Sequence, residues 1–411
     1  MFSTAHSRRR FLRNALGGAS AIGIGATMPH LFAQAAQAGP TTSERILVVV
    51  QMSGGNDGLN TVIPYANDDY LKARPKLAIP TADVLKCDDH VGFHPAMHGL
   101  RDLLEAGQLA VVQGVGYERP NRSHFEAMDI WHTCRRKEEL REDGWLGRLL
   151  DSHSIDQGGD VPALHLGTEQ QPFAVASKNV RVPTIRDLAE FQLRGQDRQE
   201  LRTFLTTTLN QRAVVESDPL LDFLQSSTSS ALAASQRVTA AAQGYEAGVP
   251  YPDSALGQKM RTIAQLIDAG LTTRVYYVQH DGFDTHAQQA PSHEVLLRQW
   301  SEAVTAFVRD LQQHDQAQRV CVASFSEFGR RVAENASAGT DHGAAGPMFV
   351  CGGSVQAGIV GEQPSLTDLD DGDLKFQVDF RSVYATILKD WLGVEPSPIL
   401  GGSYETVPLF S

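Results

Sequence analysis

Cysteine, basic charge and long apolar runs are all scarce in this 411-residue chain. Its four cysteines, Cys87, Cys134, Cys321 and Cys351, follow no zinc-ligating spacing, which excludes a thiolate zinc module. Cys321 and Cys351 sit in apolar runs and are expected as buried thiols, and no disulfide pairing is assigned. No G-x-G-x-x-G follows the first apolar run, because 53-SGGNDG-58 has the wrong spacing, so a dinucleotide-binding oxidoreductase ranks last. No repeat of fixed period is present. Basic residues number 36 against 48 acidic ones, which argues against nucleic acid or an anionic membrane as the main partner.

The first residues are unlike the rest. Arg8, Arg9 and Arg10 precede Phe11 and Leu12, then a modestly apolar Gly/Ala-rich stretch runs to Phe32 and ends in 33-AQAAQAG-39. This is the order of a secretory signal: charged, apolar, small. The Ser-Arg-Arg-x-Phe-Leu string resembles the twin-arginine export signal, so residues 1–38 are expected to be a signal peptide, cut after Ala35 or Ala38. Its partner would be the twin-arginine export machinery, and the mature chain would be periplasmic or secreted. The segment takes away four arginines and no acid, leaving 32 basic side chains against 48 acidic ones. Elsewhere no window approaches ~18 consecutive apolar residues, so no stable membrane insertion is expected after cleavage.

Residues 39–411 read as one α/β domain. The run Ile46 to Val50 is continuously apolar, as in a strand covered on both faces, and enters a Gly-rich turn. Apolar residues at Met97, Leu100, Leu103 and Leu104 have helical spacing, then 109-LAVVQGVG-116 reads as a strand and 124-HFEAMDIWHT-133 as a helix. The alternation resumes with helix 259–270, strand 273–280, helix 294–313, strands 319–329 and 347–353, and a closing helix 380–393. Strand and helix in alternation predict a mainly parallel sheet between two helical layers. Residues 190–250, rich in Gln, Ser, Thr and Ala, are expected to form a helical insertion or cap.

Ligands of open α/β sheets gather at the C-terminal strand ends. There the chain carries 53-SGGNDG-58, 120-PNRSH-124, 280-HDGFDTH-286, 326-SEFGR-330 and 340-TDHG-343. Carboxylates converging without many cations lose ionisation unless a metal neutralises them. Asp57, Asp281, Asp284, His286, Glu327, Asp341 and His342 are therefore candidate ligands of a divalent cation, with zinc, calcium and magnesium left undistinguished. Within 280–286 either Asp281 or Asp284 could partner His286, while His280 shapes the turn. Ser123 precedes a helix and would be a metal-activated nucleophile, with Arg122, Arg119 and His124 holding the negative oxygens of the substrate. The acidic run 366–375 lacks the spacing of a calcium loop and reads as a solvated loop.

The order of these motifs resembles the alkaline phosphatase-like superfamily, which includes the sulfatases. On that resemblance Ser123 stands at or near the nucleophile, Glu327 at an aspartate ligand, Phe328 at a histidine ligand, and His342 at a later histidine ligand. The set 52-MSGGNDGLNTVIPY-65, 122-RSHFEAMDIW-131, 281-DGFDTH-286, 327-EFGR-330 and 379-DFRSVYATIL-388 is similar to an exported bacterial family, domain of unknown function 1501. The resemblance implies a three-layer α/β/α sandwich, and no known substrate. Phe328 cannot bind a metal, so the usual two-metal pair lacks one donor unless Asp341 or Asp379 replaces it. No Cys-x-Pro-x-Arg occurs, so the cysteine-derived nucleophile of typical sulfatases is not expected. The expected function is a metal-dependent hydrolase or transferase acting on a small-molecule or polymer phosphate or sulfate ester. The alternative is a non-catalytic exported binding or assembly protein on the same fold.

Overall fold

The apolar run after Arg45 becomes β1 (Ile46–Ser53), and its alternation sets up the whole core. Successive side chains of a strand point to opposite faces. Ile46, Val48, Val50 and Met52 enter one helical layer, and Leu47 and Val49 enter the other. The computed structural model describes residues 45–152, 160–186, 188 and 244–410. The expected signal peptide and all but the last residues of the expected insertion lie outside the described residues.

From β1 the chain continues through α1 (His98–Glu105), β2 (Leu109–Gly116), α2 (His124–Thr133) and α3 (Trp145–Asp151). Two short strands follow, β3 (Ala163–Leu166) and β4 (Thr184–Ile185). The second half runs α4 (Ala255–Asp268), β5 (Val275–Asp281), α5 (Gln289–Gln313) and β6 (Val320–Phe325). It closes with β7 (Gly346–Gly352), β8 (Gly358–Val360), β9 (Val378–Asp379) and α6 (Phe380–Thr386). The strands make one nine-stranded sheet in the order β8-β2-β7-β6-β1-β5-β3-β4, with β9 also beside β2. Helices α1, α4 and α5 cover one face, while α2, α3 and α6 cover the other. The three-layer α/β/α sandwich expected from the sequence is the observed architecture.

One strand departs from the expected direction. All pairings in the sheet are parallel except those of β7, which runs antiparallel to both β2 and β6. A parallel return needs a crossover, usually a helix. Residues 326–345 contain none, so the chain loops at the edge where β6 ended and comes straight back.

Beneath α2, α3 and α6 the core is aromatic. Trp131 stacks on Phe325 at 5.1 Å and on Phe380 at 4.5 Å, and Trp145 stacks on Tyr384 at 4.3 Å. Each such pair contributes about 0.5–1.5 kcal/mol beyond its buried area. The four cysteines are unpaired thiols, and Cys321 and Cys351 are buried as expected. Among the described residues no helix is long and apolar enough to cross a membrane.

The buried histidines of this frame include His132, His165 and His293. Burial holds their rings neutral, lowering His132 to about 3 and His165 and His293 to about 4. The unfolded chain takes up these protons near pH 6.5, before the folded chain does. Their contribution to stability is therefore complete above about pH 6.5 and is lost as pH falls toward 4 and below. Melting temperature measured from pH 7 to pH 4 should fall already below pH 6.5. A flat profile down to pH 4.5 would contradict the buried neutral rings.

Candidate metal centre

Parallel register brings three strand ends level: Ser53 pairs with Asp281, and Gln51 with Phe325. The turns that follow must then pass within van der Waals distance of one another. Gly54 (φ +116°) and Gly55 (φ +76°) allow it. A Cβ on Gly54 would come within 2.4 Å of the Asp284 backbone nitrogen, and one on Gly55 within 2.2 Å of the Phe328 ring. Side chains are excluded there by space and by backbone conformation alike.

Gly54 N–H donates to Glu327 Oε1 at 2.9 Å, and His124 Nδ1 meets the same oxygen at 2.8 Å. Glu327 is buried, and its other oxygen accepts from Ser326. It thus orients His124, the first residue of α2, so that Nε2 faces away from the carboxylate. His342 is fixed the same way: its Nδ1 donates to the Arg122 carbonyl at 2.7 Å, leaving Nε2 as the free ring nitrogen. Both Nε2 atoms turn toward Asp284, with Oδ2 at 3.3 Å from His124 and Oδ1 at 3.1 Å from His342. His286 Nε2 borders the group, 3.0 Å from Asp284 Oδ1 and 2.9 Å from His342 Nε2. Phe328 packs against the rings of both His124 and His342, at 4.9 and 4.8 Å.

Arg330 holds the acid in place. Its guanidinium has no solvent exposure and donates to Asp284 Oδ1 at 2.8 Å. The remaining N–H groups reach the carbonyls of Gly54, Gly55 (2.6 Å), Phe283 (3.0 Å) and Thr340 (2.9 Å). Burial raises the Asp284 pKa, but the Arg330 guanidinium bonded to it outweighs that and holds the carboxyl at about 2. His124 is shifted up, first by its hydrogen bond to Glu327.

These donors fit a divalent cation. One nitrogen or oxygen from each of His124, Asp284 and His342 lies within 4.8 Å of the others. His124 Nε2 is buried without a hydrogen-bond partner, since Asp284 Oδ2 is near it but not aligned to accept. Two imidazole Nε2 atoms at 2.9 Å repel unless a proton or cation stands between them. His124 and His342 each hold an oxygen against Nδ1, which leaves the opposite nitrogen as the ligand.

Not every expected ligand is brought to this group. Asp57 is buried against Arg74 at 2.5 Å and Gln289 at 2.5 Å, so its charge is already neutralised elsewhere. Asp281 accepts from the N–H of Gly282 within its own exposed turn. Glu327 stands behind His124 instead of beside His342. Asp341 sits outside, 3.5 Å from His286 Nδ1 and 3.1 Å from Asn335 Nδ2. His124, expected to hold substrate oxygens, lies in the donor group itself. Arg122 is occupied by Asp373 (2.8 Å) and Asp371 (3.1 Å), so the 366–375 run is no free solvated loop but a hairpin clamped by that arginine. Ser123 is exposed, and its hydroxyl makes no cap bond to α2. His280 shapes its turn through the Leu296 carbonyl at 3.0 Å.

Arg330 is the residue of this group that sequence reasoning misses. The signal in the sequence is an arginine three residues after Glu327 at a strand end otherwise rich in acids. Arg330→Met should take a donor from five acceptors, leave Asp284 without its cation and cost about 3–5 kcal/mol. Chemical denaturation should show this as a lower midpoint with an unchanged slope. A loss under ~1 kcal/mol would show that the turns hold themselves.

The sequence matches the family model described as protein of unknown function (DUF1501) over residues 44–397. No curated protein matches it. Similar solved structures include an alkaline phosphatase superfamily protein from Vibrio parahaemolyticus, 10% identical, covering 98% of this chain and 79% of that one at a TM-score of 0.42. The zinc complex of the C-terminal periplasmic domain of EcEptC from Escherichia coli is 9% identical, covering 76% and 74% at 0.38. The PsFucS1 sulfatase from Pseudoalteromonas sp. is 12% identical, covering 96% and 74% at 0.38. The family model runs from the residue before Arg45 to the segment after α6, and the chain belongs to the DUF1501 family.

Proposed function

We propose that this protein is an exported, metal-dependent hydrolase or transferase of phosphate or sulfate esters. The observation that carries the reading is the convergence of His124 Nε2, His342 Nε2 and Asp284, each anchored from behind by Glu327, the Arg122 carbonyl and Arg330. Two imidazoles and one carboxylate suit zinc better than calcium or magnesium, which prefer all-oxygen sets. A divalent cation bound there would offset charge on the transferring group and acidify a nearby hydroxyl.

The chain's own groups supply the rest. Ser123 is adjacent to His124 and keeps its hydroxyl free of capping, so its Oγ is the nucleophile at hand. Oγ gives up its proton to solvent and bonds to phosphorus or sulfur as the bond to the ester oxygen breaks and the alcohol leaves; water, or a second alcohol in a transferase, then takes the group and restores the hydroxyl. The free N–H groups in the first turn of α2 favour the anionic oxygens of the transferring group. His286, half exposed beside Asp284, is the group available to protonate the leaving oxygen. Arg122 takes the lesser part of holding His342 through its carbonyl. Export is supported by the Arg-Arg segment at residues 8–9.

A second reading follows from Phe328, which packs on both histidine rings where the superfamily pattern has a donor. The cation would then be structural in a binding or assembly protein. Calorimetric titration with Zn²⁺ and a panel of aryl phosphates and sulfates separate the two. Ser123→Ala should retain Zn²⁺ and lose roughly 10³-fold or more in turnover, whereas His342→Ala should lose Zn²⁺ affinity. Tight Zn²⁺ binding, a lower melting temperature on chelation and no turnover of any ester would favour the structural role. Absence of any Zn²⁺ binding would defeat both.

A further inference from the structure

A cleft of about 640 Å³ opens beside His124 and Asp284. Its walls have a definite chemical character. Gln171 and Gln279 both line it, and each spends one amide N–H on backbone: Gln171 on the Val182 carbonyl at 2.6 Å, Gln279 on the Gln170 carbonyl at 3.2 Å. Each keeps its carbonyl oxygen and one further N–H. Asp129 and Asp281 add carboxylate oxygens, one of those on Asp129 being 3.4 Å from Arg141, and among the described residues no lysine or arginine lines the cleft itself. Lys259, which donates to the Gln279 backbone carbonyl, is tied to Glu169 at 2.7 Å. Phe125 and Phe173 supply aromatic surface, and Phe125 is 87% exposed at the very start of α2. A bare phenyl group at that exposure covers no core of its own.

Such a wall carries amide donors and a surplus of acceptors, repels anions and offers flat apolar faces. We propose that the cleft seats an uncharged, hydroxyl-rich ring, a sugar, as the alcohol portion of the ester. Hydroxyl groups donate to the free oxygens, and the C–H face of the ring lies on an aromatic side chain. The inference rests on the ester reading above for which end of the molecule reacts. The anionic end belongs to the His124–Asp284–His342 group, and the cleft excludes a second anion.

Binding tests it without turnover. Calorimetry of the mature protein should compare three trisaccharides of matched length: neutral glucose, cationic glucosamine and anionic galacturonate units. The neutral and cationic trimers should bind, and the anionic one at least about tenfold more weakly. Phe125→Ala, which removes no buried contact, should weaken the neutral trimer about tenfold, as should Gln279→Ala. Equal or tighter binding of the anionic trimer overturns the proposal, as does failure of both other trimers to bind, or no effect of either substitution. The two readings fail separately. Trimer binding with no ester turnover sinks only the hydrolase, and ester turnover with no trimer binding sinks only the sugar site.

Discussion

A guanidinium with no access to water must find its acceptors inside the protein, and Arg330 finds them on three turns at once. Gly54 and Gly55 follow β1, Phe283 and Asp284 follow β5, and Thr340 belongs to the long loop before β7. Each of these turns would otherwise leave backbone carbonyls short of partners in a crowded edge. The planar fork of arginine serves several acceptors in fixed directions, which a lysine could not. The donor group of His124, Asp284 and His342 is a by-product of that knot, because Asp284 is one of its strands.

Asp57 and Arg74 form a second buried pair, built by similar rules with a different result. The Asp57 carboxylate is also bonded to Gln289, and the Arg74 guanidinium reaches Asn60 and the carbonyls of Arg331 and Val332. Its job is to fasten the segment after β1 to the 326–345 loop. Both pairs stabilise only when complete, since an unpartnered buried charge costs more than the pair gains.

The sheet was legible because β1, β2, β5 and β6 are apolar on both faces and punctuated by glycine. The direction of β7 could have been read too, since residues 326–345 lack helical periodicity and give no crossover. The choice between Asp281 and Asp284 could not. Both follow β5, and only the pairing of Ser53 with Asp281 shows that the strand still runs at Asp281 and that its carboxylate is spent on Gly282. Asp57 carries the same signature of an acid after a Gly-rich strand end, and what disqualifies it is an arginine brought in by tertiary folding. Glu327, expected as a ligand, stands behind His124, expected to hold substrate oxygens, because a sequence reports which residues reach an edge but not which stands in front.

The loop before β7 never crosses the sheet, yet the donor atoms come from α2, the turn after β5 and that loop, three places far apart along the chain. No local fragment contains a usable portion of the constellation. Such a pocket forms late, once long-range contacts have closed. Occupancy by a cation would therefore act as a reporter of completed tertiary structure, silent for any half-folded chain.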